Sequence, residues 1–270
     1  MKKTILITGS TDGIGKLAAI RLASEGHTII LHGRNSEKLA AVIEKVKSQT
    51  NNHNITGYTA DFSDFSQVQD MAEGISNDIT TLDILINNAG IFLTPTPLNK
   101  KGLDIRLAVN YLAPYLLTKA ILPVIKNSPA PRIINLSSAA QETVSMPVLN
   151  GDSTISNQAT YAQSKLAILM WSFHLAAQES RINTIALNPG SLLNTNMVRE
   201  AYGKFWSPAE KGGDIIYDLA IKDDYRDASG KYYDNDAGRF NRAHDDAYDE
   251  SLIHELITQT DNLLTAISSS

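Results

Sequence analysis

Two features of the 270-residue sequence combine residue types and spacing that can do chemistry. One is a glycine turn, Thr8-Gly9-Ser10-Thr11-Asp12-Gly13-Ile14-Gly15, entered straight from an apolar run and followed by a helical pattern. Glycines let a backbone turn sharply and approach a pyrophosphate, whose charge is met by the positive end of the next helix. The spacing is Gly-x-x-x-Gly-x-Gly, and a tight strand-to-helix turn without a ligand wants glycine as well. The other is a tyrosine four residues ahead of a lysine in a helix. Both then lie on one face, and the ammonium favours the phenolate of a group that ionises at about 10 when free. Such a pair suits proton delivery to a developing alkoxide. The spacing occurs twice, at Tyr115…Lys119 and Tyr161…Lys165, so by itself it selects neither.

A second apolar run ends in Leu31-His32-Gly33-Arg34-Asn35. Arg34 lies 19 residues beyond Gly15, near the position that meets an adenosine ribose. A carboxylate there would bind a 2′-hydroxyl and repel a 2′-phosphate. Gly33 supplies none, and the planar fork of Arg34 suits phosphate oxygens. NADP(H) is expected over NAD(H).

The elements that must position these groups follow from an alternation. Short runs at 4–8, 28–32, 55–60, 82–87, 132–137, 183–188 and 231–233, rich in Ile and Leu, read as strands buried on both faces. Between them, 15–24, 36–48, 65–77, 101–126, 159–178 and 208–220 have helical period. The expectation is an α/β, Rossmann-type, doubly wound fold: a mostly parallel seven-stranded sheet with helices on both faces, as one domain over 1–270. Ligands of such sheets bind beyond the carboxyl ends of the strands, where strand order reverses.

Composition narrows the class. With 43% hydrophobic and 20% charged residues, the chain can bury a core and is neither disordered nor membrane-embedded. No run reads as a membrane span of about 20 apolar residues. The basic-then-apolar start stops at Thr8-Gly9, too short for a signal segment, so a cytoplasmic location is expected. The absence of cysteine removes disulfides, thiol nucleophiles and Cys-ligated zinc. The histidines, His244 and His254 included, show no metal-ligand spacing, and catalysis is expected to need no metal. A net charge of −5 argues against nucleic acid as a partner. Nine acids against four bases in 223–250 carry all of it, and that window reads as a solvated acidic face.

Taken in order, these residues resemble the short-chain dehydrogenase/reductase family over nearly the whole chain. Thr8–Gly15 resembles its glycine fingerprint, Asp61 its adenine-contacting acid, and Asn87-Asn88-Ala89-Gly90 the loop after the fourth strand. Asn110 resembles its helix asparagine, Leu136-Ser137-Ser138 its strand-end serine, and Tyr161-Ala162-Gln163-Ser164-Lys165 its Tyr-x-x-x-Lys. Asn188-Pro189-Gly190 followed by Thr195 resembles its nicotinamide-amide loop. Ser164-Lys165-Leu166-Ala167 and Ser229-Gly230-Lys231-Tyr232-Tyr233 are most similar to the retinol-dehydrogenase-like branch.

The resemblance implies an NADP(H)-dependent oxidoreductase that interconverts a carbonyl and an alcohol by hydride transfer. Asn110, Ser138, Tyr161 and Lys165 are its implied catalytic set. Order along the chain selects Tyr161 over Tyr115, which reads as a packing tyrosine beside an exposed lysine. The implied cofactor contacts are Gly9, Thr11, Asp12, Gly13, Ile14, Gly15, Arg34, Asn35, Asp61, Phe62, Asn88, Ala89, Gly90, Tyr161, Lys165, Pro189, Gly190, Leu192 and Thr195. A catalytically idle NADP(H)-binding sensor or scaffold is the alternative; an epimerase of the extended type would want Gly-x-x-Gly-x-x-Gly. The partner is a small, apolar carbonyl or alcohol, and a homo-oligomer through the helices of Asn110 and Tyr161 stays open. Ser138 and Tyr161 are 23 residues apart, longer than in many relatives, and 142–158 is placed to be a substrate wall or lid. The stretch 192–207 reads equally as an apolar helix closing the core or as a lid.

Overall fold

The computed structural model describes residues 2–268. The first apolar run forms β1 (Thr4–Ile7), and the glycine turn leads into α1 (Gly13–Ser24). The Asp12 carboxylate accepts the Gly13 N–H and so caps that helix. Then come β2 (Thr28–Gly33), α2 (Ser36–Thr50), β3 (Ile55–Thr59), α3 (Phe65–Asp78) and β4 (Ile84–Asn87). The chain continues through α4 (Ile105–Leu107), a π turn (Ala108–Leu112), α5 (Ala113–Lys126) and β5 (Arg132–Leu136). After α6 (Met146–Leu149) and α7 (Asn157–Gln178) follow β6 (Asn183–Asn188), α8 (Asn196–Tyr202) and α9 (Ala209–Ile221). β7 (Lys231–Asp234), β8 (Arg239–Phe240) and α10 (Glu250–Ser268) complete it.

The sheet order is β3-β2-β1-β4-β5-β6-β7-β8, parallel from β3 to β7. Strand residues are buried on both faces because helices cover both. Ala18, Leu22, Leu39 and Ile216 of α1, α2 and α9 pack on one side. Val68, Ile121 and Leu166 of α3, α5 and α7 pack on the other. Strand order reverses between β1 and β4, so the glycine turn and Asn88 leave the sheet side by side.

Four expectations need correction. The sheet has eight strands rather than seven: a turn through Gly238 folds the chain back as antiparallel β8, two residues long and too short to register as an apolar run. The sequence reading missed α10, which buries Leu256, Ile257 and Leu264 and lies beyond the last β–α alternation. The segment 142–158 is no wall of the cleft described below; Val144, Val148 and Leu149 are buried in the core instead. One run, Ile105–Lys126, does have the length and hydropathy to cross a membrane, but 67% of its most apolar window is buried inside the protein.

The choice left open for 192–207 falls against core closure. None of the residues of α8 is buried, and Tyr202, Phe205 and Trp206 are exposed. The segment lies over the strand ends, its return fixed by the Trp206 N–H donating to the carbonyl of Leu192, a residue held at φ 47°.

Candidate active site

The carboxyl ends of the strands open into one cleft of about 460 Å³. At its centre the β1 and β4 ends are tied together. Thr8 Oγ1 accepts the N–H groups of Asn88 and Ala89, each at 3.0 Å, and Asn88 Nδ2 donates to the carbonyls of Thr8 and Gly9. Gly9 sits at φ 62°, and a Cβ there would lie 2.7 Å from Ala89 Cα, so only glycine lets the two loops touch.

His32, which the sequence reading passed over, holds the same turn from β2. Its Nδ1 accepts the Gly9 N–H at 3.0 Å, and Nε2 meets the Ala60 carbonyl at 3.0 Å, which fixes a neutral ring donating from Nε2. Burial pushes its pKa down to about 4, so the ring keeps that role at neutral pH. Phe62 stacks on it at 4.1 Å.

Most of the expected cofactor contacts line this cleft: Gly9, Thr11, Asp12, Gly13, Ile14, Gly15, Arg34, Asp61, Phe62, Asn88, Ala89, Gly90, Pro189, Gly190 and Thr195. Two do not. Asn35 caps α2 instead, its Oδ1 accepting the Lys38 N–H at 2.7 Å. Leu192 is displaced by its left-handed backbone, and Leu193 takes the place in the lining. Asp12 reaches further than a cap: its Oδ2 accepts from Lys38 Nζ at 3.2 Å and from Asn196 Nδ2 on α8 at 2.7 Å.

The Asn188-Pro189-Gly190 loop is braced from the acidic window. Asn188 Nδ2 donates to Asp234 and Asp236, and Asp236 also accepts the N–H and hydroxyl of Ser191. Those two acids therefore belong to the site's scaffold, not to a solvated face.

At the other end, α7 brings Tyr161 and Lys165 beside the Ser138 that follows β5. Ser137, which also lines the cleft, donates to the Lys165 carbonyl at 2.7 Å. Ser138 stands close enough to the Tyr161 phenol to pull its pKa down, and its Oγ accepts the Ala140 N–H at 3.1 Å. Lys165 Nζ stands 5.6 Å from the Tyr161 ring centre and donates to the Leu136 carbonyl at 2.9 Å. The expected acidification of the phenol is not what these surroundings produce. Burial pushes Tyr161 up to about 12 and outweighs the downward pull of Ser138, while the nearby Tyr202 adds to the rise. Burial also lowers Lys165 to about 8, its ammonium being given to a carbonyl rather than to the phenol.

Asn110 sits in the π turn and does not line the cleft. Its Oδ1 accepts the Ile91 N–H at 2.7 Å, and Nδ2 donates to the Ile91 carbonyl and to Ser164 Oγ. A Cβ on Gly90 would lie 3.4 Å from Asn110 Oδ1 and 3.5 Å from Lys165 Nζ, so that glycine keeps the space between them open. Beyond Tyr161 the lining turns apolar through Phe92, Leu93, Val109, Met197 and Val198. The second tyrosine–lysine pair lies elsewhere: Tyr115 and Lys119 both bond Asp261 of α10 at 2.8 Å.

A glycine turn at a helix N-terminus, continuous with a half-buried tyrosine and serine and a buried lysine, fits a dinucleotide along the cleft and a reacting group at its end. This is the architecture of a nucleotide-dependent oxidoreductase. Residues 3–204 match the short chain dehydrogenase family. The chain belongs to that family and is an NAD(P)-dependent oxidoreductase. It is 34% identical to human retinol dehydrogenase 13 over 86% of this chain and 76% of that one. It is 31% identical to human polyprenol dehydrogenase over 76% of this chain and 64% of that one. Among solved structures, a short chain dehydrogenase of Shigella flexneri complexed with NADP superposes with a TM-score of 0.70. That pair shares 28% identity over 87% of this chain and 97% of that one. A protein of Mycobacterium paratuberculosis reaches 0.77 at 25% identity, over 97% and 92% of the two chains.

Proposed function

We propose that the chain interconverts an apolar carbonyl compound and its alcohol with NADP(H), using Tyr161, Ser138 and Lys165, with Asn110 as a positioning residue. The observation that carries this reading is the meeting of Ser138 and Lys165 at Tyr161, in the same cleft that the glycine turn opens. The dinucleotide, when bound, supplies or accepts the hydride. Ser138 orients the substrate oxygen, and the Tyr161 hydroxyl gives its proton to that oxygen as charge develops. With its pKa held at about 12, the phenol is protonated through the neutral range, the state that reduction requires. Alcohol oxidation needs the phenolate and gains from higher pH. Lys165 offers its ammonium to the nicotinamide ribose, and Asn110 keeps the Ile91 backbone, and with it the Gly90 opening, in register.

Preference for NADP(H) rests on Arg34 at the cleft and on Gly33, which offers no carboxylate and where a Cβ would lie 2.4 Å from the Thr11 methyl and force that side chain to turn. The NADP bound by the Shigella relative supports the same choice. Relatives named for retinol and polyprenol, together with the apolar lining around Phe92, support an elongated apolar substrate. The test follows nicotinamide absorbance over a panel of aldehydes and ketones with NADPH and NADH in parallel. Turnover with kcat/KM at least about tenfold higher for NADPH is expected, the margin of one well-made charged contact. Cofactor binding without turnover anywhere on the panel would favour the idle sensor.

A further inference from the structure

Arg106 heads the largest fully buried side chains among the described residues, with 1% exposure. One guanidinium nitrogen meets Asp104 Oδ2 at 2.8 Å, the other donates to the Phe92 carbonyl at 3.2 Å, and Nε has no hydrogen-bond partner. A buried charge pair this incompletely satisfied is a poor source of stability, since apolar side chains of similar volume often serve as well or better. What the arrangement does secure is the backbone of Phe92.

Residues 91–98 form no helix or strand of their own and contain Pro95 and Pro97. They are pinned at three points: Ile91 by Asn110, Phe92 by Arg106, and the Pro97 carbonyl by the Ile105 N–H at 2.9 Å. The Phe92 ring meets Tyr161 edge-on, 4.9 Å between centres at 86°, and Tyr202 of α8 stacks on Phe92 at 5.7 Å and 21°. Phe92 lines the cleft and Tyr202 stacks behind it outside the lining, so a substituent of a carbonyl held at Tyr161 would meet the Phe92 ring.

We infer that Arg106 is a positioning residue: by holding the Phe92 backbone it sets an aromatic wall, the Phe92 ring backed by Tyr202, that selects carbonyls carrying a broad, flat apolar substituent over small aliphatic ones. This rests on the oxidoreductase reading above. The wall gives a flat ring its full contact area, whereas a short alkyl group covers little of it.

The experiment compares benzaldehyde with propanal, using the full chain and NADPH. Arg106→Met is combined with Asp104→Asn so that no buried carboxylate is left unpaired, and Phe92→Ala is measured alongside. The double variant is expected to raise KM for benzaldehyde about tenfold with kcat changed less than about twofold. Its kcat/KM for propanal, melting temperature and NADPH affinity should stay near those of the parent. Phe92→Ala is expected to lose benzaldehyde selectivity at least as strongly. Equal losses on both aldehydes, a lowered melting temperature accompanying the loss, or no loss at all would overturn the inference. Should the double variant not fold, Arg106→Lys, which keeps a cation for Asp104 but lacks the fork for a second acceptor, carries the same expectation. A parent chain that reduces no carbonyl compound at all overturns the functional reading and this inference with it. A parent that reduces both aldehydes, with variants that do not discriminate, overturns this inference alone.

Discussion

The two tyrosine–lysine pairs share a spacing and almost nothing else. In both, four residues of helix place the lysine one turn from the tyrosine. Tyr161 and Lys165 face the ends of the strands, where Ser138 reaches the phenol and a backbone carbonyl takes the ammonium. Tyr115 and Lys119 face α10, where one carboxylate, Asp261, accepts from both. Burial, and then that carboxylate, raise the Tyr115 phenol and make it a fixed donor. Lys119 stays exposed, in an ion pair of the kind that contributes little to stability. Helical spacing supplies the pair; a third, distant element decides whether it can exchange a proton with a substrate or only tie two helices together.

The largest test of this contrast removes each phenol oxygen in turn. Tyr161→Phe is expected to cut turnover by about a thousandfold, within the range of a lost general acid, while keeping NADPH affinity. Tyr115→Phe is expected to leave kcat and KM within about twofold. Steady-state kinetics with cofactor titration checks both. Wild-type turnover in Tyr161→Phe would break the assignment.

A smaller effect separates the lysines. Burial holds Lys165 near 8 in the folded chain, against about 10.4 for a free lysine. Below pH 8 both folded and unfolded states carry the proton, and the folded state bears the cost of a buried charge. Between the two values the unfolded state binds more protons, so stability rises with pH. The gain from pH 7 to pH 10 is expected to be on the order of 1–3 kcal/mol in the parent. In Lys165→Met it is expected to vanish, and in Lys119→Met to persist. Urea unfolding at the two pH values reads the difference.

The smallest effect concerns Asp261. Asp261→Asn weakens two surface-facing hydrogen bonds and is expected to cost about 1 kcal/mol, a fall in melting temperature of roughly 2–4 °C. Turnover should not change. A loss of activity as large as that of Tyr161→Phe would mean the two pairs are not independent.

Much of this was legible in residue order. Buried strands rich in Ile and Leu, alternating with amphipathic helices, announce the sheet, and the order of Ser138, Tyr161 and Lys165 along the chain is enough to point to one cleft, where the structure brings them together. What escaped depends on depth or on pairing between distant segments. His32 acts on Gly9 because β1 and β2 run in register, which no local spacing reports. Asp234 and Asp236 counted as two charges in an acidic window, although their bonds to Asn188 and Ser191 brace the site. Asn35 stands next to Arg34 in the chain, yet a short amide just before a helix is equally suited to capping it, and its side chain caps α2. Helical spacing brings a lysine near Tyr161 but does not report the burial that acts on both groups. Phe92 carries no local pattern at all; its place against Tyr161 comes from the fold of the 91–98 segment.

The π turn that holds Asn110 also holds Tyr111, whose hydroxyl meets Thr260 Oγ1 at 2.8 Å across 149 residues of sequence. The last described helix is thus a strut under the turn that carries Asn110. A change that shifts Thr260 is therefore felt first at the backbone of that turn, across the sheet-covering helices rather than through the cleft.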